Sequence, residues 1–143
     1  MVAEHTAKAF DSDLQELTRL VAEMGGLVER MITDSVDALV RRDVPLGKRV
    51  VASDAEIDRL QHLIEERAVL TIARRQPMAI DLREIVGAMR VATDLERIGD
   101  LAKNMGKRVA ALENDFQPLK LIRGLEHMTD LVQGQVKSVL DAY

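Results

Sequence analysis

Residues 92–104 of this 143-residue chain read Ala92-Thr-Asp-Leu-Glu-Arg-Ile-Gly-Asp-Leu-Ala-Lys-Asn104, and they decide how the surrounding segment packs. That segment, residues 81–112, carries apolar residues at the three- and four-residue spacing that predicts a helix. At about 100° per residue, the apolar face of its first half continues as Glu96, Asp100 and Asn104. The i, i+4, i+8 spacing therefore stacks two carboxylates and an amide on one side of the helix.

Two interpretations of this acidic face remain open from the residues alone. Carboxylates one turn apart repel each other, and desolvation increases that cost, so a cation between Glu96 and Asp100 would stabilise them. However, a second apolar stripe begins at Leu95 and is rotated by roughly 150° from the first at 100° per residue. It comprises Leu95, Ile98, Ala102, Met105, Val109 and Leu112. If the buried face rotates with this stripe, the carboxylates lie in water.

The composition predicts a soluble, helix-rich chain with one core. Hydrophobic residues make up 47% and aromatic residues only 2%, so aliphatic side chains must fill the core, as in helical bundles. The chain has no cysteine, which is consistent with the cytoplasm. It has no apolar run of about 18 residues and no signal peptide, so we expect no membrane span. A net charge of −4 argues against general nucleic-acid binding.

The apolar spacing and the turn residues predict an all-α fold. We expect an antiparallel three-helix bundle of long helices, spanning residues 11–42, 44–75 and 81–112, with an additional C-terminal helix from about residue 119. Residues 1–10 are expected to form a short arm. Asp43 is expected to cap the second helix, and Asp81 the third.

The first helix carries a heptad seam that Gly25 and Gly26 interrupt, where we expect a close approach of another helix. The fourth helix echoes this pattern: Leu140-Asp-Ala142 corresponds to Val36-Asp-Ala38. We therefore divide the chain into a three-helix bundle, residues 1–112, and a linker with the first helix of an incomplete second repeat, residues 113–143.

The second helix repeats the acidic spacing with Asp54 and Asp58, which flank its apolar seam. The seam consists of Val50, Ile57, Leu60, Ile64, Ala68 and Thr71. Asp58 precedes the turn at residues 76–80 by about as many residues as Glu96 follows it, so antiparallel helices place them at similar heights. The four carboxylates are therefore expected to converge, although an Asp at the edge of a seam can equally be a solvated residue.

No catalytic constellation accompanies these carboxylates. The three histidines, His5, His62 and His127, have no arrangement typical of a nucleophilic triad. A di-metal bundle enzyme of the ferritin-like type would need Glu three residues before His, where Arg59 and Gly124 stand. We therefore expect a protein that is not an enzyme. The ferritin-like enzyme and a metal-free oligomerisation bundle remain as alternatives.

Two central motifs resemble the PhoU family of phosphate-uptake regulators. They are RRQPMAIDLR at residues 74–83 and DLERIGDLAKN at residues 94–104. HTAKAF at residues 5–10 and AEMGG at residues 22–26 are similar to members of the family as well. The resemblance covers essentially the whole chain. Members consist of two similar three-helix bundles, of which this sequence contains the first and the opening helix of the second.

The resemblance implies metal binding by acidic E/D-x-x-x-D pairs. Transferred to this sequence, the ligands are Asp54, Asp58, Glu96 and Asp100, with Asn104 one turn further. The cofactor would be a metal cation, namely iron, manganese, zinc or magnesium, and oxygen ligands suit hard cations such as magnesium, manganese or ferric iron.

The resemblance also implies a function and partners. The expected function is that of a cytoplasmic, non-enzymatic adaptor that restrains phosphate-starvation signalling. Its implied partners are the ATPase subunit of the phosphate ABC transporter and the membrane sensor kinase, through which it would associate peripherally with the membrane. The apolar side of the fourth helix has no partner in a complete three-helix unit. We therefore expect a homodimer in which this helix pairs with a second chain. The alternative is that it folds back on its own bundle, which turns three helices into four.

Overall fold

The computed structural model describes residues 2–112 and 119–143, and the side chains of residues 9–112 and 121–143. Four helices follow one another: α1 (Val2–Arg41), α2 (Val44–Arg75), α3 (Ile80–Ala111) and α4 (Leu119–Ala142). These ranges contain no strand, so the all-α prediction is confirmed. The predicted linker at residues 113–118 lies outside the described residues. Within the described ranges, no helix combines the length and the apolar content that a membrane crossing requires.

Helices α1, α2 and α3 form an antiparallel bundle around an aliphatic core. The apolar seam predicted for α2 is buried throughout, from Val50 to Thr71, and Gly47 extends it by one turn. The α1 seam is buried from Leu17 to Ala38, with Leu14 at its edge. Arg75 and Asp13 join α1 and α2 through an ion pair of 2.9 Å between Nε and Oδ2. The heptad spacing therefore predicted the core correctly because it matches the period of nearly parallel helices.

The helix termini agree with the sequence at α2 and at the start of α4, and they differ at the starts of α1 and α3. Asp43 Oδ1 accepts a hydrogen bond of 2.8 Å from the backbone N–H of Leu46, which confirms the predicted cap. The prediction that residues 1–10 form an arm is wrong, because the helix already begins at Val2. Three alanines and a lysine among residues 2–10 favour helix, and no residue there terminates it.

The predicted Asp81 cap is wrong as well. The residue before α3 is Ala79, with φ of 50°, and it makes no side-chain capping hydrogen bond. Because the helix begins at Ile80, Asp81 lies inside the first turn. There its negative charge interacts favourably with the positive end of the helix dipole instead of capping a backbone N–H.

The buried face of α3 follows a strict heptad. Its buried residues are Ile85, Ala88, Ala92, Leu95, Gly99, Ala102, Gly106 and Val109. Small residues predominate in the second half, so α2 and α3 come close together there. A Cβ atom on Gly106 would lie 2.8 Å from the carbonyl oxygen of Gly47, and one on Gly47 would lie 2.9 Å from that of Gly106. Glycine at both positions is therefore required for this backbone contact.

Helix α4 packs against α1 and runs antiparallel to it. A Cβ atom on Gly25 would lie 2.6 Å from the side chain of Leu140, so the predicted close approach occurs at Gly25, whereas Gly26 faces only Arg30. Gln133 Nε2 also donates a hydrogen bond to Thr33 Oγ1. Helix α4 therefore folds back on its own bundle, where Gly25 provides room for Leu140 on α1, and pairing with a second chain stays a prediction.

Candidate metal centre

The candidate site lies between α2 and α3, which present Asp54 and Asp58 on one side and Glu96 and Asp100 on the other. A Cβ atom on Gly99 would lie 3.5 Å from the Ile57 side chain, so the two helices are in van der Waals contact at this level. Ile57 directly precedes Asp58, and Gly99 directly precedes Asp100. This contact brings the two acidic pairs to the same height, as the spacing from the turn predicted.

Lys103 bridges the two helices through their carboxylates. Its Nζ donates to Asp54 Oδ2 at 2.6 Å, and it lies equally 2.6 Å from Asp100 Oδ1. Because one nitrogen touches both oxygens, these oxygens can be no further apart than twice that distance. The Asp54 side chain is 17% exposed and that of Lys103 is 21% exposed, so the contact lies mostly out of water.

The second oxygen of Asp54 is the unusual atom of the site. Oδ1 is buried and has no hydrogen-bond partner. The position of Asp54 in the heptad explains its burial, because it follows Gly47 by seven residues and so falls on the seam that is otherwise buried. A buried carboxylate oxygen without a partner is costly, and such atoms are usually paired.

Glu96 and Asp100 have opposite electrostatic environments. Burial raises the pKa of the Glu96 carboxyl above its ordinary value, and repulsion from Asp100, Asp58 and Asp54 adds to that shift. The hydrogen bond from Lys103 lowers the pKa of the Asp100 carboxyl. The contacts with Asp100 and Asp54 raise the pKa of Lys103, with the Asp100 contact as the largest cause. Lys103 therefore stays charged. Glu96 is the carboxyl group of this pair whose ionised form is disfavoured.

Three of the five predicted metal ligands lie partly buried in the cluster, and the other two are exposed. Asp54, Glu96 and Asp100 form the inner part of the cluster, where Asp54 and Asp100 share the Lys103 ammonium. Asp58 is exposed, although its charge acts on Glu96, and Asn104 is exposed one turn beyond Asp100. Glu96 and Asp100 are half-buried between the core and water, so they are not the fully solvated face that one of the two interpretations expected.

Metal binding at these residues stays a prediction. In the described part of the chain, no set of three His, Asp or Glu side chains is placed so that it could hold a metal ion. The donors nevertheless fit a hard cation, because they are all oxygens and because Asp54 Oδ1 is buried without a partner. The Lys103 ammonium lies between Asp54 and Asp100, where a cation would otherwise contact both.

Lys103 is the residue of this cluster that the sequence reasoning missed. It follows Asp100 by three residues, a spacing that places two side chains on the same helix face. Its contact with Asp54 could not be inferred from that spacing, because it depends on how close α2 lies. His62 and His127, examined for the ferritin-like alternative, are both exposed, and His62 faces Glu65 at 3.8 Å.

Comparison with known proteins places this geometry in a family context. The PhoU domain family matches residues 21–109, a range that includes all five predicted ligands. A phosphate-specific transport system accessory protein PhoU homolog of Rhizobium meliloti is 52% identical over 139 residues, which are 97% of this chain and 59% of that protein. The corresponding homolog of Caulobacter vibrioides is 47% identical over 142 residues, which are 99% of this chain and 62% of that protein.

A solved structure shares the arrangement of the helices. The crystal structure of PhoU from Pseudomonas aeruginosa superimposes with a TM-score of 0.88 at 35% identity. The match covers 93% of this chain and 64% of that one. The chain thus spans about three fifths of the length of the curated relatives described above.

Proposed function

The chain belongs to the PhoU family, and on that basis we propose that it acts as a metal-binding, cytoplasmic regulator of phosphate uptake. The observation that carries this proposal is the 52% identity, over 97% of the chain, to a protein named as an accessory protein of the phosphate-specific transport system. The word accessory in that name supports a role beside the transporter rather than an enzymatic one. The proposed action is to restrain phosphate-starvation signalling as an adaptor between the transporter ATPase and the sensor kinase.

The surface of the chain supports an adaptor because it offers apolar contact area. Several large apolar side chains of α4 remain exposed: Leu121, Met128, Leu131, Val132 and Val139. Beside them lies an apolar groove between α3 and α4, with a cavity of about 360 Å³ lined by Ile98, Val136 and other aliphatic residues. Contiguous apolar surface of this kind is typical of interaction sites. We propose that it serves contacts with partners, including a second copy in a homodimer.

The metal part of the proposal rests on the carboxylates between α2 and α3. Asp54, Glu96 and Asp100 would hold the cation, and Asp58 would add negative charge from the rim. The cation would neutralise the repulsion that raises the pKa of Glu96, and it would give Asp54 Oδ1 the partner it lacks. Oxygen donors favour magnesium, manganese or ferric iron among the four candidate metals. Bound there, the cation would join α2 and α3 across their contact.

Co-purification tests the adaptor role directly. The tagged chain is immobilised and incubated in turn with the purified ATPase subunit of the phosphate transporter and with the cytoplasmic part of the sensor kinase. We expect both to be retained, whereas the ATPase subunit of an unrelated ABC transporter serves as the control and is washed through. Retention of neither partner, or equal retention of the unrelated ATPase, would contradict the proposal.

A further inference from the structure

Lys103 contacts the two carboxylates that approach each other from different helices. Its Nζ lies 2.6 Å from both Asp54 Oδ2 and Asp100 Oδ1. These are the distances of charge-assisted hydrogen bonds, which are shorter and stronger than those between neutral groups. The nearby Lys107, four residues further along α3, is exposed and makes no such bridge among the described residues. The chain therefore places one particular ammonium group inside its acidic cluster.

This ammonium only partly neutralises the cluster. Asp54, Asp58, Glu96 and Asp100 carry four carboxyl groups, and Lys103 brings a single positive charge to them. Lys103 donates to only one oxygen of Asp54, and the other oxygen, Oδ1, remains buried without a hydrogen-bond donor. A divalent or trivalent cation would contribute more charge and could accept several oxygen ligands at once.

We propose that Lys103 is an internal cation that holds Asp54 and Asp100 together until a metal ion displaces it, so that the ammonium and the metal exclude each other. The inference rests on the proposed metal site and adds the residue that controls access to it. Two like-charged cations cannot share the same two oxygens, because their repulsion would act over a very short distance in a partly buried place. Metal binding therefore expels the Lys103 ammonium into water, on the exposed side of α3 near Lys107.

Chemical labelling of amines follows the displacement without relying on any biological activity. The chelator-treated protein is exposed briefly to an amine-reactive reagent at fixed pH, and the modification of Lys103 and Lys107 is quantified by mass spectrometry. We expect Lys103 to react several-fold more slowly than Lys107 in the metal-free protein, and to approach the rate of Lys107 when Mn²⁺ is added. The Asp54→Asn/Asp100→Asn variant should label Lys103 rapidly with or without Mn²⁺.

Metal affinity provides the second measurement. Calorimetric titration with Mn²⁺ compares the wild type with Lys103→Met, which keeps an unbranched side chain as far as the ε position and removes the competing ammonium. The matched control is Lys107→Met, which removes one charge close to Asp100 but no direct contact. We expect Lys103→Met to bind Mn²⁺ on the order of tenfold more tightly, as befits the loss of a competing charged hydrogen bond. Lys107→Met should change the affinity much less.

The outcomes separate this inference from the proposed function. Tighter binding by Lys103→Met, or binding by Lys103→Met alone, supports displacement. If the wild type binds Mn²⁺ and Lys103→Met binds it equally or more weakly, displacement is overturned while the metal site stands. If neither protein binds Mn²⁺, the metal site itself is overturned and displacement with it. Lys103 labelling that does not respond to saturating Mn²⁺ also overturns the inference.

Discussion

Glu96 and Asp100 stand one turn apart on the same helix face, an arrangement that repulsion between like charges disfavours. Part of this repulsion is compensated, because Lys103 pairs with Asp100 and lowers the pKa of its carboxyl. Compensation is incomplete, since the pKa of Glu96 is raised, first by its burial and then by its neighbours. The residue that the metal would relieve most is therefore Glu96.

Removing the charge of Glu96 should stabilise the metal-free protein. Because its pKa is raised in the folded state, the stability associated with Glu96 is fully present below the ordinary value of 4.5 and is lost as the pH rises through the folded-state pKa. Glu96→Gln should therefore increase the free energy of unfolding near neutral pH by roughly 0.2–0.5 kcal/mol, the usual size for like charges one turn apart.

Urea unfolding in the presence of chelator checks this prediction at two pH values. The gain from Glu96→Gln should shrink as the pH falls through the folded-state pKa and should vanish below 4.5, where the carboxyl group is neutral in both states. Glu66→Gln, at an exposed position of α2, is the matched control and should change stability little at either pH. A destabilised Glu96→Gln variant near neutral pH would show that the Glu96 charge is favourable, contrary to this account.

Some features of the acidic cluster could be predicted from the sequence, and others could not. Asp54, Asp58, Glu96 and Asp100 could be assigned to one height of the bundle because helix rise and turn position depend only on the count of residues. The contact of Lys103 with Asp54 could not be predicted from the sequence, because it depends on the distance between two helices and on a side-chain rotamer. The burial of Asp54 was underestimated, since turning α2 by about 100° per residue places Asp54 beside the seam, whereas the heptad places it on the seam.

Among the helices, α2 was the easiest to predict and α3 the hardest. Helix α2 begins and ends at its predicted residues, Val44 and Arg75, because Asp43, Pro45 and Pro77 give strong signals at its ends. In α3 the apolar pattern favours two different faces, and the sequence alone left the choice open. In the structure the buried face of α3 is the one that carries the small residues Gly99, Ala102 and Gly106, because they let α2 come close. Glu96 and Asp100 therefore flank the contact between the two helices.

The glycine contact between α2 and α3 should be essential to the bundle. A methyl group on Gly106 would lie 2.8 Å from the Gly47 carbonyl oxygen, and backbone at that position cannot rotate away. We expect Gly106→Ala to destabilise the protein by about 1–3 kcal/mol, as overpacking does in well-packed cores.

Gly87 offers a matched control on the same helix, because a Cβ atom there would meet nothing within 4 Å. Gly87→Ala should stabilise the protein by about 0.5–1 kcal/mol, since alanine favours the helix over glycine. The two variants are compared by thermal and urea unfolding. If Gly106→Ala is as stable as Gly87→Ala, the two helices do not approach as closely as described.

At the scale of the whole molecule, α4 determines how the chain interacts. It covers part of α1 through Gly25 and Leu140, yet Leu131 remains 56% exposed and Met128 61% exposed. The sequence identified the apolar side of α4, but it did not indicate that part of this side, including Val136 and Leu140, would pack on its own bundle. The residues of α1 that allow this, such as Ile32 and Val36, lie outside the heptad seam on which the sequence analysis relied.

The exposed side of α4 leads us to expect a homodimer in solution. Light scattering should give twice the mass of the chain, and Leu131→Asp should shift it towards the monomer because a charge would be buried at the contact. Ser138→Asp, at an exposed polar position of the same helix, should leave the dimer intact. A monomer at all concentrations, or a dimer that Leu131→Asp leaves intact, would contradict this expectation.

The central claim is that the carboxylates between α2 and α3 bind a metal ion, and elemental analysis tests it most directly. The wild type, the Asp54→Asn/Asp100→Asn variant and the control Asp94→Asn, an exposed carboxylate of α3, are purified without chelator. The account predicts stoichiometric iron, manganese, zinc or magnesium in the wild type and in Asp94→Asn, and its loss in the double variant. A wild type without metal, or a double variant that retains as much metal as the wild type, would contradict it.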